Sequence, residues 1–140
     1  MSHHPGAWLP THTVAMLLCQ SMLFSVLFLA CGGSPTVNVV ATTFRDVPAP
    51  GGLQSTAKTE IGRRVQACYK AVLKSQGDLS GQVEIDVMGS HGILRPEEVG
   101  EAPPALSACV LEALSDSRLQ RTLGDGPNEI GFALTVSFTP

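Results

Sequence analysis

The sequence predicts an α+β domain, two helices packed on a small three-stranded antiparallel sheet, preceded by a signal peptide and a flexible linker. Two periodicities carry that expectation. Apolar residues recur at spacings of three and four between Thr56 and Gln76 and again after Pro104, as on a helix with one buried face. They alternate with polar or small residues between Gly81 and Met88 and between Ile130 and Phe138, as on a strand with one buried face. Helices and hairpin strands mixed in this way form a helix layer on one side of an antiparallel sheet.

In the first element, Ile61, Val65, Cys68, Val72 and Leu73 form the apolar stripe, while Arg63, Arg64, Lys70 and Lys74 fall mostly elsewhere. Ser55 or Thr56 can cap this helix, Glu60 suits its first turn, and Lys74 followed by Gly77 suits its end. Val83, Ile85 and Val87 then alternate with Gln82, Glu84 and Asp86, and the turn Gly89-Ser90-His91-Gly92 returns the chain as a second strand from Ile93 to Gly100. Pro96 has no backbone donor, so this strand is expected at an open edge. Pro103 and Pro104 start a helix reaching about Ser117, with Leu106, Cys109, Val110, Ala113 and Leu114 on its apolar face. After the turn Gly124-Asp125-Gly126-Pro127, Ile130, Phe132, Leu134, Val136 and Phe138 define the last strand.

The chain ahead of this domain is a different material. All nine Lys and Arg and all twelve Asp and Glu lie after Cys31, the first of them at Arg45. From Val14 to Ala30 the sequence is apolar except for Gln20, Ser21 and Ser25, a length that suits either a signal peptide or a short membrane anchor. At its end, Phe28-Leu29-Ala30-Cys31-Gly32-Gly33-Ser34 resembles the lipobox of bacterial lipoproteins. The resemblance implies cleavage before Cys31, lipidation of its thiol, attachment to the lipid bilayer, and, with Gly32 next, delivery to the outer membrane. An uncleaved anchor with Cys31 at the membrane edge is the alternative. His3, His4 and His12 stand where a signal peptide carries Lys or Arg, which leaves Met16 and Met22 open as starts. Residues 32–55, rich in Gly, Pro, Ser and Thr, read as a tether. The expected organisation is therefore a signal peptide over 1–30, the lipidated cysteine and linker over 31–55, and the folded domain over 56–140.

With Cys19 in the leader and Cys31 taken by lipid, Cys68 and Cys109 remain as an even pair in an oxidising compartment. Their expected state is a disulfide, with two reduced core cysteines as the alternative. A zinc site would need His91 to join two isolated cysteines without the paired spacing such sites show.

The segments VQACYK from Val65, GDLSGQVEIDV from Gly77 and ACVLEAL from Ala108, with the closing alternating strand, resemble the AgmX/PglI C-terminal domain of gliding-motility proteins, a relative of the TonB C-terminal fold. The resemblance covers a little over half of the chain. It implies a periplasmic binding or force-transmitting module without enzymatic activity, and it implies a bridge at Cys68 and Cys109.

No nucleophile-base arrangement is evident: His91 lies in a turn, Glu84 and Asp86 share the outward face of a strand, and Glu97, Glu98 and Glu101 form a solvated acidic run. The expectation is a membrane-tethered interaction module that meets an unidentified envelope protein through a strand edge or a helix face, with no cofactor and no small-molecule substrate. A purely structural envelope lipoprotein is the alternative. A net charge of -3 and scattered basic residues argue against nucleic acid as a partner.

Overall fold

Along the described residues, 33–126 and 128–140 of the computed structural model, the chain opens with strand β1 (Thr36–Thr43). Helix α1 follows, α-helical over Leu53–Thr56, π-helical over Ala57–Ile61 and α-helical again over Gly62–Gln76. Strands β2 (Gly81–Ser90) and β3 (Ile93–Val99) form a hairpin. Helices α2 (Pro104–Leu114) and α3 (Ser117–Gly124) lead to β4 (Ile130–Thr139). The four strands make one antiparallel sheet in the order β1-β4-β2-β3.

The α+β class stands, and two of its details are corrected. The sheet has four strands rather than three, because part of the segment expected as a tether is β1, paired with β4 from Thr36↔Thr139 to Thr43↔Phe132. The folded unit therefore starts at Ser34, not at Thr56. The helix layer has three helices rather than two, because Asp116 caps a separate α3 with its Oδ1 on the amides of Arg118 and Leu119. Only Leu119 and Leu123 of α3 are buried apolar side chains, a spacing too brief to register as a period. Helix α1 begins three residues earlier than expected, at Leu53, behind Gly52 in the left-handed region (φ 67°), so Ser55 and Thr56 lie inside it. Its end is as expected: Gly77 takes φ 72° and its amide donates to the Leu73 carbonyl at 3.0 Å.

The core lies between the helices and one sheet face. Val83, Ile85 and Val87 of β2 and Phe132, Leu134, Val136 and Phe138 of β4 meet Ile61, Val65 and Tyr69 of α1 and Leu106, Val110 and Leu114 of α2, all buried. Each such side chain contributes about 1.5–3 kcal/mol through removal from water. Tyr69 was not part of the predicted stripe. Its ring meets Phe138 edge to face at 5.0 Å, and its hydroxyl donates to the Leu79 carbonyl at 2.7 Å. Val39 of β1 lies against α1 at Gly62, where an added Cβ would be 3.7 Å from Val39 Cγ2, an ordinary contact distance.

The other sheet face is partly open. The loop after β1 folds over one end of it, with the Pro48 carbonyl accepting from the Gly131 amide at 3.0 Å. A Cβ on Gly131 would lie 2.8 Å from the Phe44 ring, so this packing needs glycine there. Beyond that cover, Glu84, Asp86 and Glu97 stand on the open face, with Asp86 directly opposite Glu97.

Candidate functional site

Helices α1 and α2 lie side by side and are joined by a disulfide between Cys68 and Cys109, with Cα atoms 5.6 Å apart. Cys109 is buried and Cys68 is half-buried, so the bridge forms the floor of a cleft on the outer side of the helix layer. Ala67, Ala71 and Ala113 line the same cleft and add no bulk, which leaves a volume of about 590 Å³. A smaller cavity of about 260 Å³ continues toward α3, lined by Thr56, Leu119 and Thr122.

Arg64 and Asp116 border both cavities. An Arg64 guanidinium nitrogen meets Asp116 Oδ2 at 3.1 Å, with both side chains about one-third exposed. A pair this exposed is screened by solvent and adds little to stability. Asp116 also accepts the two amides that start α3, at 3.1 and 3.0 Å. The Leu119 amide above all holds its carboxyl below the ordinary carboxylate value; burial opposes it in part, and the Arg64 charge and the Arg118 amide add to the lowering. Arg64 keeps one buried donor, Nε, without an acceptor. A buried donor left unpaired costs about 1–3 kcal/mol, a cost carried by the residue that borders the cleft.

The residues expected to carry function fall in separate places. Cys68 and Cys109 come together as the bridge, whereas Cys31 lies outside the described residues. His91 occupies the hairpin turn with φ 53° and Gly92 with φ 74°, the positive pair that a two-residue type I′ loop requires. Five residue steps along the chain, about 17 Å, separate His91 from Asp86. Glu84 and Asp86 sit on the open face, and Glu98 accepts the Ser107 hydroxyl at 2.7 Å on the helix side. Among the described residues no group of His, Cys, Asp and Glu is arranged to hold a metal ion, and no helix is long and apolar enough to cross a membrane.

Sequence reasoning missed Arg64 and Asp116 as a pair. Arg64 stood as one of four cations set mostly off the apolar stripe, and Asp116 carried a signal only as an N-cap before a helix too short to notice.

Both sheet edges are partly blocked. On β1 the outward-facing Val37 amide donates to Gln66 Oε1 at 2.9 Å, the Pro35 carbonyl accepts from Gln66 Nε2 at 2.7 Å, and the Ala41 carbonyl accepts from Gln54 Nε2 at 2.6 Å. On β3, counting from the closing pair Ser90↔Ile93 makes Val87↔Pro96 a non-hydrogen-bonded pair. The Pro96 nitrogen therefore faces outward and offers no donor at the middle of that edge.

No protein-family model matches the chain, and neither a curated protein nor a solved structure matches it.

Proposed function

We propose that the chain is a membrane-tethered periplasmic lipoprotein, held by a lipid on Cys31, whose domain is a non-enzymatic protein-interaction module of the cell envelope. The observation that carries this reading is the helix-layer cleft. It is open, floored by a disulfide and alanines, and bordered by the partly exposed Arg64–Asp116 ion pair. Blocked strand edges turn the choice between strand edge and helix face toward the helix face. The partner is a segment of an envelope protein that offers small apolar side chains to the cleft floor and a carbonyl or carboxylate oxygen to Arg64. The Cys68–Cys109 bridge suits an oxidising compartment. The lipobox resemblance supports outer-membrane attachment, and the resemblance to the AgmX/PglI C-terminal domain supports a binding role.

Two measurements test this. The intact mass of the membrane-fraction protein, with and without reduction, reports cleavage before Cys31, the attached lipid and the bridge together. A photo-crosslinking residue placed at Ala71 is expected to capture one envelope protein in cells, and the same residue at Val40 on the open sheet face is not. Capture from Ala71 that survives Arg64→Ala undiminished would remove Arg64 from the recognition, and equal capture from both positions would remove the cleft.

A further inference from the structure

The exposed side of α1 carries three cations at spacings of seven and four, Arg63, Lys70 and Lys74, all exposed. Arg63 is shared with Glu60 at 3.0 Å, while Lys70 and Lys74 take part in no ion pair among the described residues. Nearby acids are Asp78, past the helix end, and Glu112 on α2, whereas Glu84, Asp86 and Glu97 occupy the far side of the sheet. The helix side is thus locally cationic in a chain of net charge -3.

The chain enters the domain beside this stripe. Gln66, which holds both the Pro35 carbonyl and the Val37 amide, lies on α1 between Arg63 and Lys70, about one turn from each. Only four residues, Gly32 to Pro35, separate Cys31 from the first residue of β1. Five extended steps from Cys31 to Thr36 reach about 18 Å at most, so a lipid on Cys31 holds the entry point within that distance of the bilayer. That span is shorter than the about 22 Å length of the Gly62–Gln76 helix. So short a link keeps the entry point, and the α1 stripe beside it, near the bilayer.

We propose that the exposed stripe of α1, through Arg63, Lys70 and Lys74, rests on anionic phospholipid headgroups of the membrane that holds the anchor, with the acidic sheet face turned away. This rests on the lipoprotein reading. The anchor supplies nearness, and the charges select the orientation, since screened attraction acts only within about 8 Å at physiological ionic strength.

The test uses the lipidated full chain inserted into preformed vesicles, of phosphatidylcholine alone or mixed with phosphatidylglycerol. A membrane-impermeant amine reagent is applied and labelling is read at each lysine by mass spectrometry, with Lys58 as the reference. On the anionic vesicles labelling of Lys70 and Lys74 is expected to fall about fivefold relative to Lys58, and high salt restores it. Equal labelling on both vesicles, in a sample whose intact mass carries the lipid, overturns the orientation and leaves the lipoprotein reading standing. An intact mass without lipid overturns both.

Discussion

The two edge strands of the sheet are held in opposite ways. β3 is joined to its neighbour β2 by two turn residues, His91 and Gly92, and its register follows from that turn. β1 pairs with β4 across almost the whole domain, Thr36 with Thr139, and no turn dictates the register. Each edge also has a helix that steadies it. Gln54 and Gln66 of α1 bind the outward backbone of β1, while carbonyls at and after the end of α3 accept from the hairpin tip, Gly124 from Gly92 at 2.7 Å and Gly126 from His91 at 2.9 Å. A local strand needs the helix little, and a distant strand depends on it. Changes to α1 should therefore damage β1 more than changes to α3 damage β3.

The largest test removes β1. A chain starting at Thr56 lacks buried Val39 and Ala41 and leaves β4 with an unpaired edge. It is expected to lose cooperative thermal unfolding at 25 °C, because Val39 alone contributes about 1.5–3 kcal/mol to a stability of order 5–15 kcal/mol. A stable monomer with native circular dichroism from that start would show that β1 is dispensable.

Next comes the bridge. Changing Cys68 and Cys109 together to Ser opens a loop with a sequence separation of 41, and about 4 kcal/mol of stability is expected to go in denaturant titration. Because the bridge anchors α1, amide exchange should rise in β1 more than in β3. Equal rises would break the comparison.

At the two edges themselves, Gln66→Ala removes two hydrogen bonds on β1, and Gly92→Ala places a side chain at φ 74° in the β3 hairpin. Each is expected to cost about 1–2 kcal/mol. Only Gln66→Ala should expose β1 amides to exchange well below global unfolding, a pattern that hydrogen exchange followed by mass spectrometry resolves.

The smallest effect is acid dependence. The Asp116 carboxyl, held below its ordinary value of 3.8 chiefly by the Leu119 amide, is easier to ionise in the folded state. Its contribution is complete above the unfolded value and is lost as pH falls from about 4 through the lowered one. In that window α3 should loosen first, raising exchange at His91 and Gly92 before β1. Asp116→Asn should flatten this dependence, and an unchanged profile would free α3 from its cap.

The elements with a full period were legible before any tertiary contact was known. β4 alternates over its whole length, α1 presents Ile61 and Val65 one turn apart, and Pro103-Pro104 marks the start of α2. Cys68 and Cys109 were also placed as a pair, though by elimination of the other cysteines rather than by geometry. β1 was not legible. In Thr36–Thr43, Val40 breaks the alternation by standing 45% exposed on the open face, and the flanking Gly and Pro suggest a linker. The cleft was illegible too, since Arg64 and Asp116 meet only when α1, α2 and α3 are packed.

The sequence by itself determined the α+β class, the central strands, the end of α1, the start of α2 and the residues able to form one bridge. These follow from periods, caps and turns that act within a few residues. The tertiary structure alone decided that residues 36–43 close the sheet, that Gln54 and Gln66 cap its edge, and that Arg64 keeps an unpaired donor at the cleft. Those depend on backbone and side-chain groups far apart in the chain, whose partners are chosen by how the whole core packs.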